Sequence, residues 1–191
     1  MKQSISNKYE VILASKSPRR HELLKKLITD FKINVIDVEE KHPCELEKEK
    51  IAEYLAELKA AAYLPKHNQL FITADTIVCI ENEVLGKPKD INDAKEMLKK
   101  LSGKTHLVIT AVTLKTSTKL ITFSDKTEVT FYHLSDQEIT NYIEECKPFD
   151  KAGSYGIQEW MGYFGIKKMN GDYFNVMGLP LHRLYRAIKE L

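Results

Sequence analysis

Residues Tyr9 to Arg20 read YEVILASKSPRR, and this stretch decides the fold class. Tyr9–Ala14 is a short apolar run of the length of a buried strand. Ser15-Lys16-Ser17 follows as a tight loop. Ser17 suits a helix N-cap, and Pro18 suits the first helical position, where its missing N–H has no intrahelical partner to lose. Leu23, Leu24 and Leu27 then recur at helical spacing, so a helix is predicted to about Ile28. The unit is strand, loop, helix.

Working outward, Lys32–Val38 alternates and reads as a second strand, with Glu39–Pro43 as the loop after it. Glu45–Tyr63 reads as a helix with Ile51, Leu55, Leu58 and Ala62 on one face, stopped by Pro65. Leu70–Ile80 is a strong strand with Asp75 in its middle, and after a turn a brief strand returns to Leu85. Asp90 caps a helix carrying Ile91, Ala94, Met97, Leu98 and Leu101. Thr105–Leu114 and Leu120–Tyr132 read as paired strands. Ser135 and Glu138 form a capping box that opens a helix to about Cys146. Tyr163–Met169 and Tyr173–Val176 flank Asn170-Gly171-Asp172 and read as a hairpin, with Trp160, Tyr163, Phe164, Tyr173 and Phe174 as core or hairpin packing. A last helix carries Leu181, Leu184, Tyr185 and Ile188. Strands and helices mix without strict βαβ alternation. The expectation is an α/β (α+β) protein with a mixed β-sheet flanked by helices, in one continuous domain over residues 1–191, and not a doubly wound fold.

Composition removes several function classes. With 43% hydrophobic and 29% charged residues, the chain is globular rather than disordered. Its 29 basic and 27 acidic residues leave a formal charge of +2, so bulk attraction to nucleic acid or an anionic membrane is not implied. Any anion site must be built locally. No run approaches the ~18 apolar residues of a membrane helix, and Met1–Asn7 has no apolar leader core, so a cytoplasmic protein is expected. Cys44, Cys79 and Cys146 are odd in number and lack metal-ligand spacing, which points away from disulfide or zinc frameworks.

Five places carry candidate chemistry. Ser15, Lys16, Ser17, Arg19 and Arg20 crowd a helix N-terminus, where free N–H groups favour an anion but two arginines oppose the dipole. A phosphate would remove that conflict, since guanidinium forks suit it; a plainly capped helix with solvated basic residues is the alternative. Asp75 sits inside an apolar strand, where a carboxylate needs a partner and points to a metal ligand or general base. Glu40, in a loop, is a candidate second ligand for a hard divalent cation. Lys87 stands in Leu85-Gly86-Lys87-Pro88, a stiff turn that suits phosphate or merely the surface. Asp150–Gln158 (DKAGSYGIQ) is a Gly-rich loop in which Gln158 is able to donate and accept at a base edge. None of the six histidines has ligand spacing.

In order along the chain, L-A-S-K-S-P-R-R at Leu13–Arg20, A-D-T at Ala74–Thr76, L-G-K-P at Leu85–Pro88, L-S-G-K at Leu101–Lys104, D-K-A-G-S-Y-G-I-Q at Asp150–Gln158 and G-L-P at Gly178–Pro180 resemble the Maf family of nucleoside triphosphate pyrophosphatases. The resemblance spans about Val11 to Leu181. It implies a fold like that of inosine triphosphate pyrophosphatase, and hydrolysis of a nucleoside triphosphate to the monophosphate and pyrophosphate with Mg²⁺ or Mn²⁺. It makes Asp75 the proton acceptor and a metal ligand with Glu40, and ties Arg19, Thr76 and Gln158 to substrate choice. It places Ser15, Arg19, Lys59, Lys87 and Lys151 on the phosphates. The Arg/Thr/Gln set looks like the branch that cleaves dTTP and UTP. A homodimer is implied, with a nucleotide and neither nucleic acid nor membrane as partner.

Two departures stand out. Many members carry Gly before A-D-T and after Y-G-I-Q; here these are Thr73 and Glu159, the latter followed by Trp160. They bear on the base pocket more than on the reaction. Two alternatives stay open from sequence: the same hydrolysis on modified or other non-canonical nucleotides, and a non-catalytic nucleotide-binding regulator of septum formation.

Overall fold

A computed structural model describes residues 8–191; the polar stretch Met1–Asn7 lies outside them. In chain order the elements are strand β1 (Glu10–Leu13), helix α1 (Pro18–Leu27), β2 (Lys32–Ile33), α2 (Glu49–Ala61), β3 (Gln69–Ile80), β4 (Glu83–Leu85), α3 (Ile91–Leu101), β5 (Thr105–Lys115), β6 (Leu120–Phe131), α4 (Asp136–Cys146), β7 (Ile166–Asn170), α5 (Tyr173–Met177) and α6 (Leu181–Lys189). The strand order is β2-β1-β3-β5-β6-β7, with β4 paired to β3. Parallel and antiparallel pairs coexist, so the sheet is mixed. The chain divides into two compact units. The first holds the residues up to Asp75 with Thr110–Asp125 and Gly178–Leu191; the second holds Thr76–Ile109 and Lys126–Met177.

In the first unit β1 lies parallel to β3, with Glu10 opposite Gln69 and Leu13 opposite Ile72. Parallel strands need cover on both faces. Val11, Ile12, Leu13, Leu70, Phe71 and Ile72 are accordingly buried. Leu23 and Leu24 of α1, Ile51, Ala52 and Leu55 of α2, and Leu184 and Ile188 of α6 are buried too. Ser17 caps α1 by accepting from the Arg20 N–H, and Pro18 opens the helix.

Two expectations for this unit are corrected. Of the strand expected over Lys32–Val38, only Lys32 and Ile33 pair, with Ile12 and Leu13 of β1. Ile33 and Val35 are exposed, and alternation stabilises a strand only where one face is buried. The helix expected from Glu45 begins at Glu49, because Lys48 adopts φ 40, a left-handed conformation that breaks the helical path.

In the second unit the core gathers Val78, Ile80, Leu98, Leu101, Val108, Val129, Phe131, Ile139, Tyr142 and Met161. Asp90 caps α3, and the Ser135–Glu138 capping box opens α4. The hairpin expected around Asn170-Gly171-Asp172 does not form. β7 pairs instead with β6, antiparallel, with a bulge at Thr130/Phe131, and Tyr173–Met177 is helical. The Asp172 carboxylate accepts from the Phe174 and Asn175 N–H groups, which turns the chain into a helix. Asn175, fully buried, then donates to the Val108 carbonyl and to Thr127 Oγ1. Nor are Tyr163 and Phe164 core: they lie on a π-helical turn, Met161–Gly165, and are 69% and 66% exposed.

Candidate active site

The first unit presents an acid–lysine cluster beside the start of α1. Ser15, two residues beyond β1, is buried; its Oγ accepts from the Ser17 N–H at 3.2 Å, and its carbonyl accepts from His21 Nε2 at 2.6 Å. These bonds fix the loop that leads into the helix N-terminus. Arg19 is half-buried in the first turn. Arg20 is held by two carbonyls: its Nε donates to the Gly178 carbonyl at 2.8 Å and its Nη1 to the Ala74 carbonyl at 2.9 Å. One guanidinium therefore ties α1 to the residue before Asp75 and to Gly178-Leu179-Pro180. Burial pushes the Arg20 pKa down, while the nearby Asp75 and Glu40 charges oppose the shift.

Asp75 is 7% exposed on β3. Lys59, near the end of α2, donates to Asp75 Oδ1 at 2.5 Å and lies 2.9 Å from Glu40 Oε1. Two carboxylates from a loop and a strand thus converge on one ammonium. The ammonium marks a point where positive charge is favoured, and both acids offer hard oxygen donors. Such a donor set fits Mg²⁺ or Mn²⁺. Thr73 donates its hydroxyl to the Ala56 carbonyl at 2.7 Å and ties β3 to α2.

The second unit carries the remaining candidates. Thr76 is half-buried, and Lys87 is exposed. Gly153 has φ +67 and packs on Val78, where a Cβ would lie 2.9 Å from Val78 Cγ2; its N–H donates to the Gly86 carbonyl at 3.0 Å. The Asp150–Gln158 loop is thereby tied to Leu85-Gly86-Lys87-Pro88. Lys151 is only 7% exposed, and its amine sits 2.8 Å from Asp150 Oδ1 and 3.0 Å from Glu159 Oε1. Gln158 Oε1 is buried with no hydrogen-bond partner among the described residues, an acceptor that a ligand's N–H would satisfy.

Within each unit, then, Glu40, Lys59 and Asp75 come together, and so do the loops of Lys87 and Lys151. Sequence reasoning passed over Arg20 as distinct from Arg19, His106 beneath Tyr155, and the Tyr142–Glu159 pair. For Glu159 a signal existed: a charged residue next to Gln158 where the resemblance implies glycine. For His106 and Tyr142 no local signal existed, because their partners lie 49 and 17 positions away.

The fold is that of an α/β protein in which a strand feeds a basic helix start and two acids, Glu40 and Asp75, converge on the Lys59 ammonium. The chain belongs to the Maf-like protein family, whose profile matches residues 10–191. Over 187 residues it is 53% identical to a dTTP/UTP pyrophosphatase of Phocaeicola vulgatus, covering 96% of this chain and 97% of that protein. It is 50% identical over 186 residues to a dTTP/UTP pyrophosphatase of Flavobacterium johnsoniae, covering 96% of each. Among solved structures, a HAM1 protein from Coxiella burnetii aligns over 96% of this chain and 100% of that one, at 13% identity and a TM-score of 0.49. Among the described residues, no helix is long and apolar enough to cross a membrane.

Proposed function

We propose that this chain is a nucleoside triphosphate pyrophosphatase that hydrolyses dTTP and UTP to the monophosphate and pyrophosphate. The observation that carries the reaction is the convergence of Glu40 and Asp75 on one cation position. The choice of nucleotide rests on the likeness to dTTP/UTP pyrophosphatases over nearly the whole chain.

Glu40 and Asp75 would hold Mg²⁺ or Mn²⁺, which when bound neutralises phosphate oxygens and makes the attacking water more acidic. Asp75 orients that water and takes its proton as the oxygen bonds to the α-phosphorus. The bond to the bridging oxygen breaks, and its electron pair leaves with pyrophosphate. Ser15, Arg19, Lys59, Lys87 and Lys151 contribute donors and positive charge to the triphosphate, the larger part of catalysis in such displacements. Thr76 and Gln158 read the base. The Gln158 amide offers both an acceptor and a donor, matching the N3–H and O4 of uracil and thymine; cytosine, with a bare N3 and an N4 amine, reverses both partners and is rejected when the amide is held in one orientation. A homodimer in the cytoplasm completes the proposal, on the family resemblance.

The test is pyrophosphate release from dTTP, UTP, CTP, GTP and 7-methyl-GTP with Mg²⁺ or Mn²⁺, beside Asp75→Asn. Release from dTTP and UTP that disappears in the variant, with nucleotide binding retained, supports the reaction and the role of Asp75. Release confined to other bases removes the pyrimidine assignment. Retained turnover in Asp75→Asn removes the proton-acceptor role.

A further inference from the structure

Glu159 has no part in the proposed function, and its surroundings are built. Its Oε1 lies 3.0 Å from Lys151 Nζ. Its Oε2 accepts from the Tyr142 hydroxyl at 2.6 Å. That hydroxyl accepts in turn from the Gly156 N–H at 2.9 Å, inside the protein. The Glu159 N–H donates back to the Gly156 carbonyl at 3.2 Å. The result is a closed ring of hydrogen bonds: Gly156 to Tyr142, Tyr142 to Glu159, and Glu159 to Gly156. Ile157 and Gln158 are the two residues held between its ends.

Three details show that the ring is packed. Tyr142 is almost wholly buried on α4. A Cβ at Gly156 would lie 2.8–3.0 Å from the Glu159 carboxyl atoms, so the glycine makes room for the acid. Burial, then the bond to Glu159, pushes the Tyr142 pKa up, so the hydroxyl stays protonated and remains the donor. On the far side of the turn the Tyr163 hydroxyl donates to the Gln158 carbonyl at 2.7 Å. The Gln158 backbone is therefore gripped from both sides, while its Oε1 stays unmatched.

We propose that Glu159 is a positioning residue for substrate selection: through Tyr142 it fixes the Gly156–Gln158 turn that aims the Gln158 amide, and through its second oxygen it holds the Lys151 ammonium. This rests on Gln158 reading the base and Lys151 facing phosphate. A glycine at this position would have no side chain with which to close the ring. Glu159 consequently couples the phosphate-side lysine to the base-side glutamine in the second unit.

The experiment compares wild type, Glu159→Ala, Glu159→Gln and Tyr142→Phe by kcat and KM for pyrophosphate release across the nucleotide panel. In Glu159→Ala the preference for the favoured base should fall about tenfold, the range that one misplaced buried hydrogen bond commands, and through KM more than kcat. Glu159→Gln keeps an acceptor for the Tyr142 hydroxyl and should hold the preference within about twofold. Tyr142→Phe keeps the ring volume but removes the link, and should behave like Glu159→Ala. Wild-type preference in both Glu159→Ala and Tyr142→Phe overturns the inference. Should Glu159→Ala fail to fold, Tyr142→Phe decides by the same ratio. If the wild type releases pyrophosphate from no nucleotide, the proposed function fails, and exchange of the Gly156 amide then decides the positioning role. Faster exchange by about tenfold in Tyr142→Phe and Glu159→Ala upholds it; exchange at the wild-type rate overturns it.

Discussion

His106 makes the stability of the second unit depend on pH in a way that is simple to compute. It stands on β5, 2% exposed, with Nε2 2.8 Å from the Tyr155 hydroxyl. Its ring meets Phe131 and Tyr155 edge-on, at 5.0 and 5.4 Å between centroids. Nδ1 is buried with no hydrogen-bond partner among the described residues. No acid lies close enough to compensate a charge, and burial alone pushes the imidazole pKa from 6.5 down to about 4. In the unfolded chain the same ring takes up a proton near 6.5. The unfolded state therefore binds more protons across this window, and stability falls as pH falls. The contribution is whole above pH 6.5, declines between there and about 4, and is flat below.

At about 1.4 kcal/mol per pH unit, the loss reaches about 1.4 kcal/mol at pH 5.5 and about 2.5 kcal/mol at pH 4.5. Carboxylates titrate in the lower part of the window, so the readout is a difference. Urea unfolding of wild type and His106→Gln should be followed from pH 7.5 to 4.5. Glutamine still reaches the Tyr155 hydroxyl but does not titrate. Whatever its stability at pH 7.5, the variant should lose about 2.5 kcal/mol less than wild type by pH 4.5. Curves that run parallel over the whole range would show that His106 protonates normally in the folded state, and the description of its surroundings would be wrong.

Other outcomes follow from single contacts. Thr73→Val removes the second donor to the Ala56 carbonyl, which keeps its bond within α2, and should lower stability by about 0.5–1.5 kcal/mol in urea unfolding; no change would show that the hydroxyl contributes nothing there. Gly162→Ala would place a Cβ 1.6 Å from the Ile157 carbonyl oxygen, so the turn must move; a melting temperature equal to wild type would contradict that geometry. Arg20→Lys keeps the charge but loses the fork that holds the Ala74 and Gly178 carbonyls, and kcat should fall about tenfold with an unchanged circular dichroism spectrum, since Asp75 follows Ala74 directly. A chelator should abolish pyrophosphate release, and added Mg²⁺ or Mn²⁺ should restore it; turnover that survives chelation removes the metal from the reaction.

What the sequence made legible was set by neighbours a few residues apart. Ser17 before Pro18, Asp90 before Ile91, and Ser135 with Glu138 each name a helix start because the cap and the N–H it accepts lie within three positions. The β3 strand was legible because eleven of its twelve residues are buried, and a run that apolar has few other resting places. The failures share the opposite cause. Whether Tyr173–Met177 pairs as a strand or coils into a helix is settled by Asn175 finding Val108, 67 positions away. Arg20 looked like a second copy of Arg19, and its structural role shows only in carbonyls 54 and 158 positions distant. Tyr163 and Phe164 carry core-like side chains but sit on a π-helical turn that leaves them exposed, and composition does not announce a π turn.

The site residues are also distributed so as to separate two tasks. Glu40, Asp75 and Lys59, the proposed cation-binding group, and the basic helix start all belong to the first unit. Thr76, Gln158 and the Tyr142–Glu159 ring that holds Gln158 all belong to the second. One peptide bond, between Asp75 and Thr76, divides the proposed proton acceptor from the first proposed selector. Asp75 draws a hydrogen bond from Lys59 on α2, and the Gln158 turn is held by Tyr142 on α4. Substitutions that share no partner and no cavity add nearly independently. Changes at Glu159 or Tyr142 should therefore shift nucleobase preference while leaving Mn²⁺ affinity, measured without nucleotide, within about twofold. Changes at Glu40 should do the reverse, weakening Mn²⁺ binding and lowering turnover on every nucleotide alike. A Glu40→Gln variant that altered the ratio of UTP to CTP turnover would show that the two tasks are energetically joined, and the separation argued from their hydrogen-bond partners would fail.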